Sequence, residues 1–422
     1  MKLIYNSKKP MDAHESGQRG ELALIVVGVL LTLRTALLVL VPSALGFIGI
    51  PSELSNLIVN FGTLAVGCAA IPWILSRAPR PAWVVVWFLA VALVISMLFY
   101  GGGVALLGAF GVDLALGLIW LLVMSSISDF RSFRRLLYWG GYVILVATAL
   151  QLVRTSAAED EVGYSQFLAY VALPAALIFA DAAFERHAFF NAALATAAGV
   201  MVMSTGARGP LVTIVLFVAI RGALKMRSSP RLVLLFVGGG AALLVALQYV
   251  RDSLLSWLFE TLENLGLSTR VVTRLLEGTL LEDRARGALA QHTVDLIVEH
   301  PVVGLGLGNE RRHVAVLMGD SGPSQWTGWY PHNVFLEVLS QFGVIVGSLI
   351  LIWVAVKILR AVVATDDMDR SLTALIFVGM GLVPLLFSAS YLSWPQFFAL
   401  IGVCLAAQRL HTSPSALVRE AK

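Results

Sequence analysis

Apolar stretches long enough to cross a lipid bilayer follow one another along almost the whole chain, and that succession leaves few folds open. A spanning helix needs about 20 mainly apolar residues. About twelve stretches meet this requirement: 21–42, 54–76, 82–100, 104–127, 136–153, 165–181, 188–205, 210–224, 232–250, 333–357, 371–389 and 395–409. Backbone N–H and C=O groups in lipid must be satisfied within the protein, which makes such stretches helices. Pro174, Pro210 and Pro384 fall inside them and are tolerated where neighbouring helices take up the freed backbone groups. Only 13% of the 422 residues are charged, about half the share usual in soluble domains. A water-soluble fold of this length could not cover its surface with so few charges. The expected fold is an all-α integral membrane protein with about twelve transmembrane helices.

The basic residues orient these helices. With the N-terminus inside, the cytoplasmic segments hold Arg77 and Arg80; Arg131, Arg134 and Arg135; Arg186; Arg221, Lys225, Arg227 and Arg231; and Lys357, Arg360 and Arg370. The tail adds Arg409, Arg419 and Lys422. Every lysine falls on this side, whereas the opposite side carries arginines only, as the positive-inside rule requires. Both termini are therefore expected in the cytoplasm. The net charge of +4 belongs to this topology and implies no nucleic-acid partner, because the basic residues are scattered between apolar runs. No small-residue cleavage site follows the first apolar run at signal-peptide distance, so that run is expected to be retained as a helix. Cys68 and Cys404 both lie in apolar runs and read as small core residues, without disulfide or metal-ligand spacing.

One segment differs from the rest. Residues 251–331 are polar, lie outside by this topology and are far longer than any other connection. Apolar periodicity from Leu254 to Leu265 and from Ala285 to Glu299, followed by a glycine-rich turn, marks this segment as folded. The chain thus divides into helices 1–9 over residues 1–250, the large outer loop over 251–331 and helices 10–12 over 332–422.

Three features gather at the outer surface. In STGARGPL, residues 204–211, Arg208 stands where one span ends and Pro210 opens the next. A guanidinium there offers phosphate oxygens a rigid fork. In RARGALAQHTVDLIVEHPVVGLGLGN, residues 284–309, Arg286 begins an amphipathic helix that ends at His300 and Pro301, and Gly304, Gly306 and Gly308 form the turn. These glycines follow a helix and not a strand, which excludes a nucleotide-binding loop. In GWYPHNVFLEVLSQFGVIVG, residues 328–347, His332 and Asn333 stand at the mouth of a span behind Trp326, Trp329 and Tyr330. A neutral imidazole in that position can take a proton from a hydroxyl near pH 7.

Together, STGARG, the Arg286 helix with GLGLGN, and His332-Asn333 with Gly343 ten residues further on resemble the O-antigen ligase/polymerase superfamily. That family includes lipopolysaccharide O-antigen ligases, Wzy-type and exopolysaccharide polymerases, and pilin oligosaccharyltransferases. The motif-bearing part runs from about 188 to 360. Two positions depart from the ligase pattern: Val212 replaces a leucine, and Val346 takes a position held by Gly, Thr or Tyr, with Gly347 after it. The resemblance implies a bacterial inner-membrane glycosyltransferase with its site facing the periplasm. Its donor would be a polyprenyl-diphosphate-linked glycan, and its acceptor a second glycan or lipid A-core. Arg208, Arg286 and His332 would be the catalytic residues, with Asn333, Arg270, Arg274, Arg284, Tyr330 and Trp329 as substrate contacts. It further implies no cofactor and no divalent metal, membrane lipids as surroundings, and a flippase and chain-length regulator as partners.

Arg34 and Asp113 lie within spans, where charge costs a few kcal/mol, so they are expected to face the bundle interior and pair. A transporter would use such residues. However, the chain shows no inverted repeat, and its polar residues concentrate in one outer loop and not along a membrane-crossing path.

Overall fold

The computed structural model describes residues 13–226 except 47, 101–102 and 158–164; residues 253, 255–264, 269, 272–273 and 276; and residues 284–411 except 318, 320–328 and 365–366. The described residues form helices α1 (Ala13–Gly46), α2 (Ser52–Ala69), α3 (Ile71–Arg77), α4 (Arg80–Phe99), α5 (Gly103–Ser126), α6 (Phe130–Ala157), α7 (Gln166–Ala183), α8 (Ala188–Ser204) and α9 (Arg208–Met226). Further along the chain come α10 (Arg284–Glu299), α11 (Glu310–Leu317), α12 (Val334–Val363), α13 (Met368–Phe377), a π-helical turn (Val378–Leu382), α14 (Val383–Phe387), a 3-10 turn (Tyr391–Ser393) and α15 (Pro395–His411).

Eleven of the twelve expected spans therefore fall on described helices, and the one at 232–250 lies outside the described residues. Among the described residues, seven helices are long and apolar enough to cross a membrane, or eight if the bent pair α2–α3 is one span. The apolar pieces Phe110–Ser126, Ala188–Ser204 and Pro395–Ala406 are shorter. The 47° bend between α2 and α3 has a local cause, because Pro72 cannot donate to the preceding turn.

Burial follows the same logic. α7 is buried almost throughout, from Leu168 to Ala182, and packs against α6, α8 and α9. The outward faces are apolar instead of charged: Trp87 is 67% exposed, Leu98 72% and Phe189 91%. In water these side chains would form an extensive apolar surface; in lipid they face their natural solvent. The chain is a multi-pass membrane protein. Arg34 and Asp113 pair inside it at 3.1 Å, and Arg34 also donates to Asn60 Oδ1 at 2.8 Å. Cys404 is buried as expected, but Cys68 is exposed on α2 and does not belong to the core.

Contacts between helix ends define two ends of the bundle. Arg77 contacts Glu21, whose carboxylate also accepts from the Asp129 backbone at 2.9 Å, so α1, α3 and the start of α6 share one end. At the other end, Ser165 donates through its backbone to Thr205 O at 3.0 Å, joining the start of α7 to the α8–α9 turn.

The expected glycine-rich turn is stitched to a break in α12. Gly343 adopts φ 73°, ψ 171°, a conformation essentially closed to other residues. The break exposes the carbonyls of Ser340 and Gln341 to the N–H groups of Leu305 (2.8 Å) and Gly306 (2.9 Å), while Val344 donates to Pro301 O at 2.7 Å. Gly304 approaches so closely that a Cβ there would lie 2.5 Å from Gly343 N. A Cβ on Gly343 would in turn lie 2.3 Å from Val302 O. Gly343→Ala should therefore lower stability by about 3 kcal/mol or more, from strain and backbone collision together. Gly199→Ala, where nothing lies within 4 Å, should leave the melting temperature in detergent unchanged or slightly raised.

Candidate functional site

The site forms where α14 ends. Pro384 has no N–H to offer Met380 O, and the Trp394 indole fills that vacancy at 2.8 Å. The π-helical turn just before it is the kind of local irregularity that often accompanies function. The chain then leaves the helix at Phe387 and Ser388 and exposes their carbonyls.

The expected residues meet these two carbonyls. Arg286, in the first turn of α10, donates from Nη1 to Phe387 O at 2.5 Å. Tyr330 donates its hydroxyl to Ser388 O at 2.9 Å, and His332 Nδ1 lies 3.1 Å from the same oxygen. The Tyr330 and His332 rings are 4.2 Å apart. Arg208 opens α9 beside the same turn: a Cβ on the adjacent Gly209 would lie 3.2 Å from Tyr170 Oη, 3.6 Å from Ser388 Oγ and 3.7 Å from Phe387 Cβ. Tyr170 and Ser388 hydrogen-bond through their hydroxyls. Three residues far apart in sequence thus converge on one turn.

The histidine geometry fixes its chemistry. A carbonyl can only accept, so Nδ1 carries the hydrogen that points to Ser388 O, and Nε2 of the neutral ring is the proton-accepting atom. The backbone of His332 is left-handed, with φ 51°, at a cost of about 1–2 kcal/mol. Asn333 holds the next residue in place by capping α12, its Oδ1 accepting from Phe335 N at 2.9 Å and Leu336 N at 3.3 Å. Asn333 was expected to be a substrate contact; its carbonyl oxygen has this structural duty. Trp329 packs against the cluster of Leu289, Leu296, Leu305 and Val314. Arg270, Arg274 and Trp326 lie outside the described residues, as does the side chain of Arg284.

Beneath Tyr330 lies a polar network that the sequence reading missed. Arg311 is buried, with its guanidinium 5.2 Å from the Tyr330 ring centroid and 5.6 Å from that of Phe110. It contacts the Ser390 hydroxyl and lies 3.5 Å from Glu337 Oε1. Glu337 accepts from the Ser390 hydroxyl and from Tyr391 N at 3.2 Å. Gln341 donates to Glu310 Oε1 at 2.7 Å and accepts from the Tyr391 hydroxyl. One signal could have found Glu337: it is the single carboxylate in the apolar run 333–357, and such residues are rarely idle. A groove of about 640 Å³ flanks α10 and α11 and is lined by Tyr100, His292, Asp295, Glu299, Arg312 and His313 among others.

Two buried carboxyls share one guanidinium here, and they differ in their hydrogen bonds. Glu337 accepts from Ser390 and Tyr391 N, and Glu310 from Gln341 through Oε1. Glu310 Oε2 is buried without a partner, and burial reinforced by the Glu337 carboxylate pushes the Glu310 carboxyl up to about 8. The unfolded carboxyl ionises at about 4.3. Because the folded value is the higher one, the unfolded state loses its proton first as pH rises. Stability should therefore fall from about pH 4 to about pH 8 and level off above. Glu310→Gln mimics the neutral acid and should flatten this slope in thermal unfolding; an unchanged slope would mean Glu310 is charged when folded.

Residues 192–352 match the family model described as O-antigen ligase. No curated protein and no solved structure matches the chain. The matched segment carries Arg208, Arg286, His332, Arg311 and Glu337 but ends before the Phe387–Ser388 turn. Over residues 192–352 the chain is similar to the O-antigen ligase family, and Arg286 and His332 of that segment meet on one turn.

Proposed function

We propose that the protein transfers a glycan from a polyprenyl diphosphate to an acceptor hydroxyl at the periplasmic face of the bacterial inner membrane, in surface-polysaccharide synthesis. The observation that carries this reading is the convergence of Arg286 and His332 on the adjacent carbonyls of Phe387 and Ser388, with Arg208 beside them. The acceptor oxygen attacks the anomeric carbon, its proton passes to His332 Nε2, and the bond from that carbon to the diphosphate oxygen breaks. The electron pair stays on the diphosphate. Arg208 and Arg286 stabilise the charge as it develops. Phe387 O anchors one arm of the Arg286 guanidinium beside the turn, and a guanidinium fork matches phosphate oxygens. Two guanidiniums can supply this electrostatic stabilisation without a divalent metal. The groove beside α10 and α11 offers hydroxyl, imidazole and carboxylate partners suited to sugar rings.

The departures at Val212 and Val346 favour a polymerase, which extends one lipid-linked chain with another, over a ligase acting on lipid A-core. In purified protein with a lipid-linked donor, His332→Ala should slow transfer about 100-fold or more while donor binding persists. His332→Gln keeps a hydrogen-bonding side chain but cannot accept the proton, so it should remain impaired across pH. Arg208→Lys keeps the charge but loses the fork and should also lose much of the activity. Near-normal turnover in all three variants would overturn the assignment.

A further inference from the structure

A second polar site lies at the other end of the bundle. On α7, Tyr170 touches the His332 site, whereas Asp181 stands eleven residues further on, about 16 Å away along the helix axis. There a cavity of about 220 Å³ opens between α6, α7 and α13, lined by Arg131, Arg134, Arg135, Tyr138, Arg186 and the acids facing them.

The acids are already taken. Arg134 pairs with Asp181, with Glu185 at 2.7 Å and with Asp369 at 2.5 Å; Arg221 pairs with Asp181 at 2.7 Å and Glu185 at 3.2 Å. Among the described residues, Arg131, Arg135 and Arg186 form no ion pair. Asp129 lies close enough to Arg135 to feel its charge, but it spends its carboxylate on Ser132 N at 3.0 Å. Arg186 lies over the Tyr138 ring, 4.2 Å from its centroid. Three guanidiniums thus border a cavity whose own carboxylates are committed to two other arginines.

The surroundings indicate the source of the missing anion. Trp139, one turn beyond Arg135, is 62% exposed, as an aromatic at the edge of the hydrocarbon layer would be. Basic pockets between membrane helices at that depth suit anionic lipid headgroups. The guanidinium fork matches phosphate oxygens. We infer that this cavity holds the phosphodiester headgroup of an anionic phospholipid, bound at the end of the bundle away from the His332 site. Such a lipid would fix α6 against α7 and α13, the helices that lead to the glycan site.

The test is lipid retention by the full-length protein in neutral detergent, measured by native mass spectrometry with short-chain phosphatidylglycerol, phosphatidylcholine or inorganic phosphate. The combined variant Arg131→Gln, Arg135→Gln, Arg186→Gln spares Arg134 and Arg221 and so keeps the internal ion pairs. A control, Arg80→Gln, Lys357→Gln, Arg360→Gln, removes equal charge at the same end but outside the cavity. Phosphatidylglycerol should bind wild type and control alike and bind the first variant about tenfold or more weakly, while phosphatidylcholine should bind poorly throughout. Equal weakening in the control would reduce the effect to diffuse surface charge and overturn the site. Unchanged binding in the first variant would also overturn it, as would displacement of the lipid by inorganic phosphate at equal concentration.

Discussion

Two adjacent backbone carbonyls, those of Phe387 and Ser388, are the fixed point of one end of this bundle. They accept from Arg286, Tyr330 and His332, which come from segments otherwise separated by more than fifty residues of sequence from the turn. Each such bond contributes about 1 kcal/mol of stability, and geometry is their larger contribution. A carbonyl cannot donate, so it selects one histidine tautomer, and it anchors one arm of an arginine. The turn exists because Pro384 leaves Met380 O unsatisfied within the helix, and the Trp394 indole takes that carbonyl as α14 ends.

The buried network beneath the turn keeps it in place. Arg311 reaches Ser390, Glu337 holds both Ser390 and the Tyr391 backbone, and Tyr330 lies over the Arg311 guanidinium. α11 and α12 are thereby tied to the segment that follows α14. The Gly304–Gly343 contact ties the preceding loop to α12 from the other side. Loop, helix start and turn are cross-braced, which offsets the strain of a left-handed backbone at His332.

Much of this was legible in the sequence, and the rest was hidden for identifiable reasons. Apolar periodicity located the described spans because a bilayer demands length above all. Arg208, Arg286 and His332 stood out because charged or titratable groups at helix ends near a membrane surface are few. Arg34 and Asp113 could be paired by cost alone, and they do pair. The Phe387–Ser388 turn was not legible, since a carbonyl belongs to every residue and no side chain announces its use. Asn333 caps α12, a duty the sequence does not distinguish from ligand contact because both call for the same side-chain chemistry. Cys68 shows the matching ambiguity in apolar residues: the sequence cannot tell a face turned to lipid from one turned inward.

The central claim is that the diphosphate of the donor lies between Arg208 and Arg286 with its sugar toward His332. The most direct test is a cryo-electron-microscopy structure of the His332→Gln protein with a polyprenyl-diphosphate-linked glycan in a lipid nanodisc. The account predicts both phosphates within hydrogen-bonding reach of the two guanidiniums at the Phe387–Ser388 turn, with the anomeric carbon facing residue 332. A diphosphate bound at the opposite end of the bundle, or at the turn but beyond reach of either arginine, would contradict it.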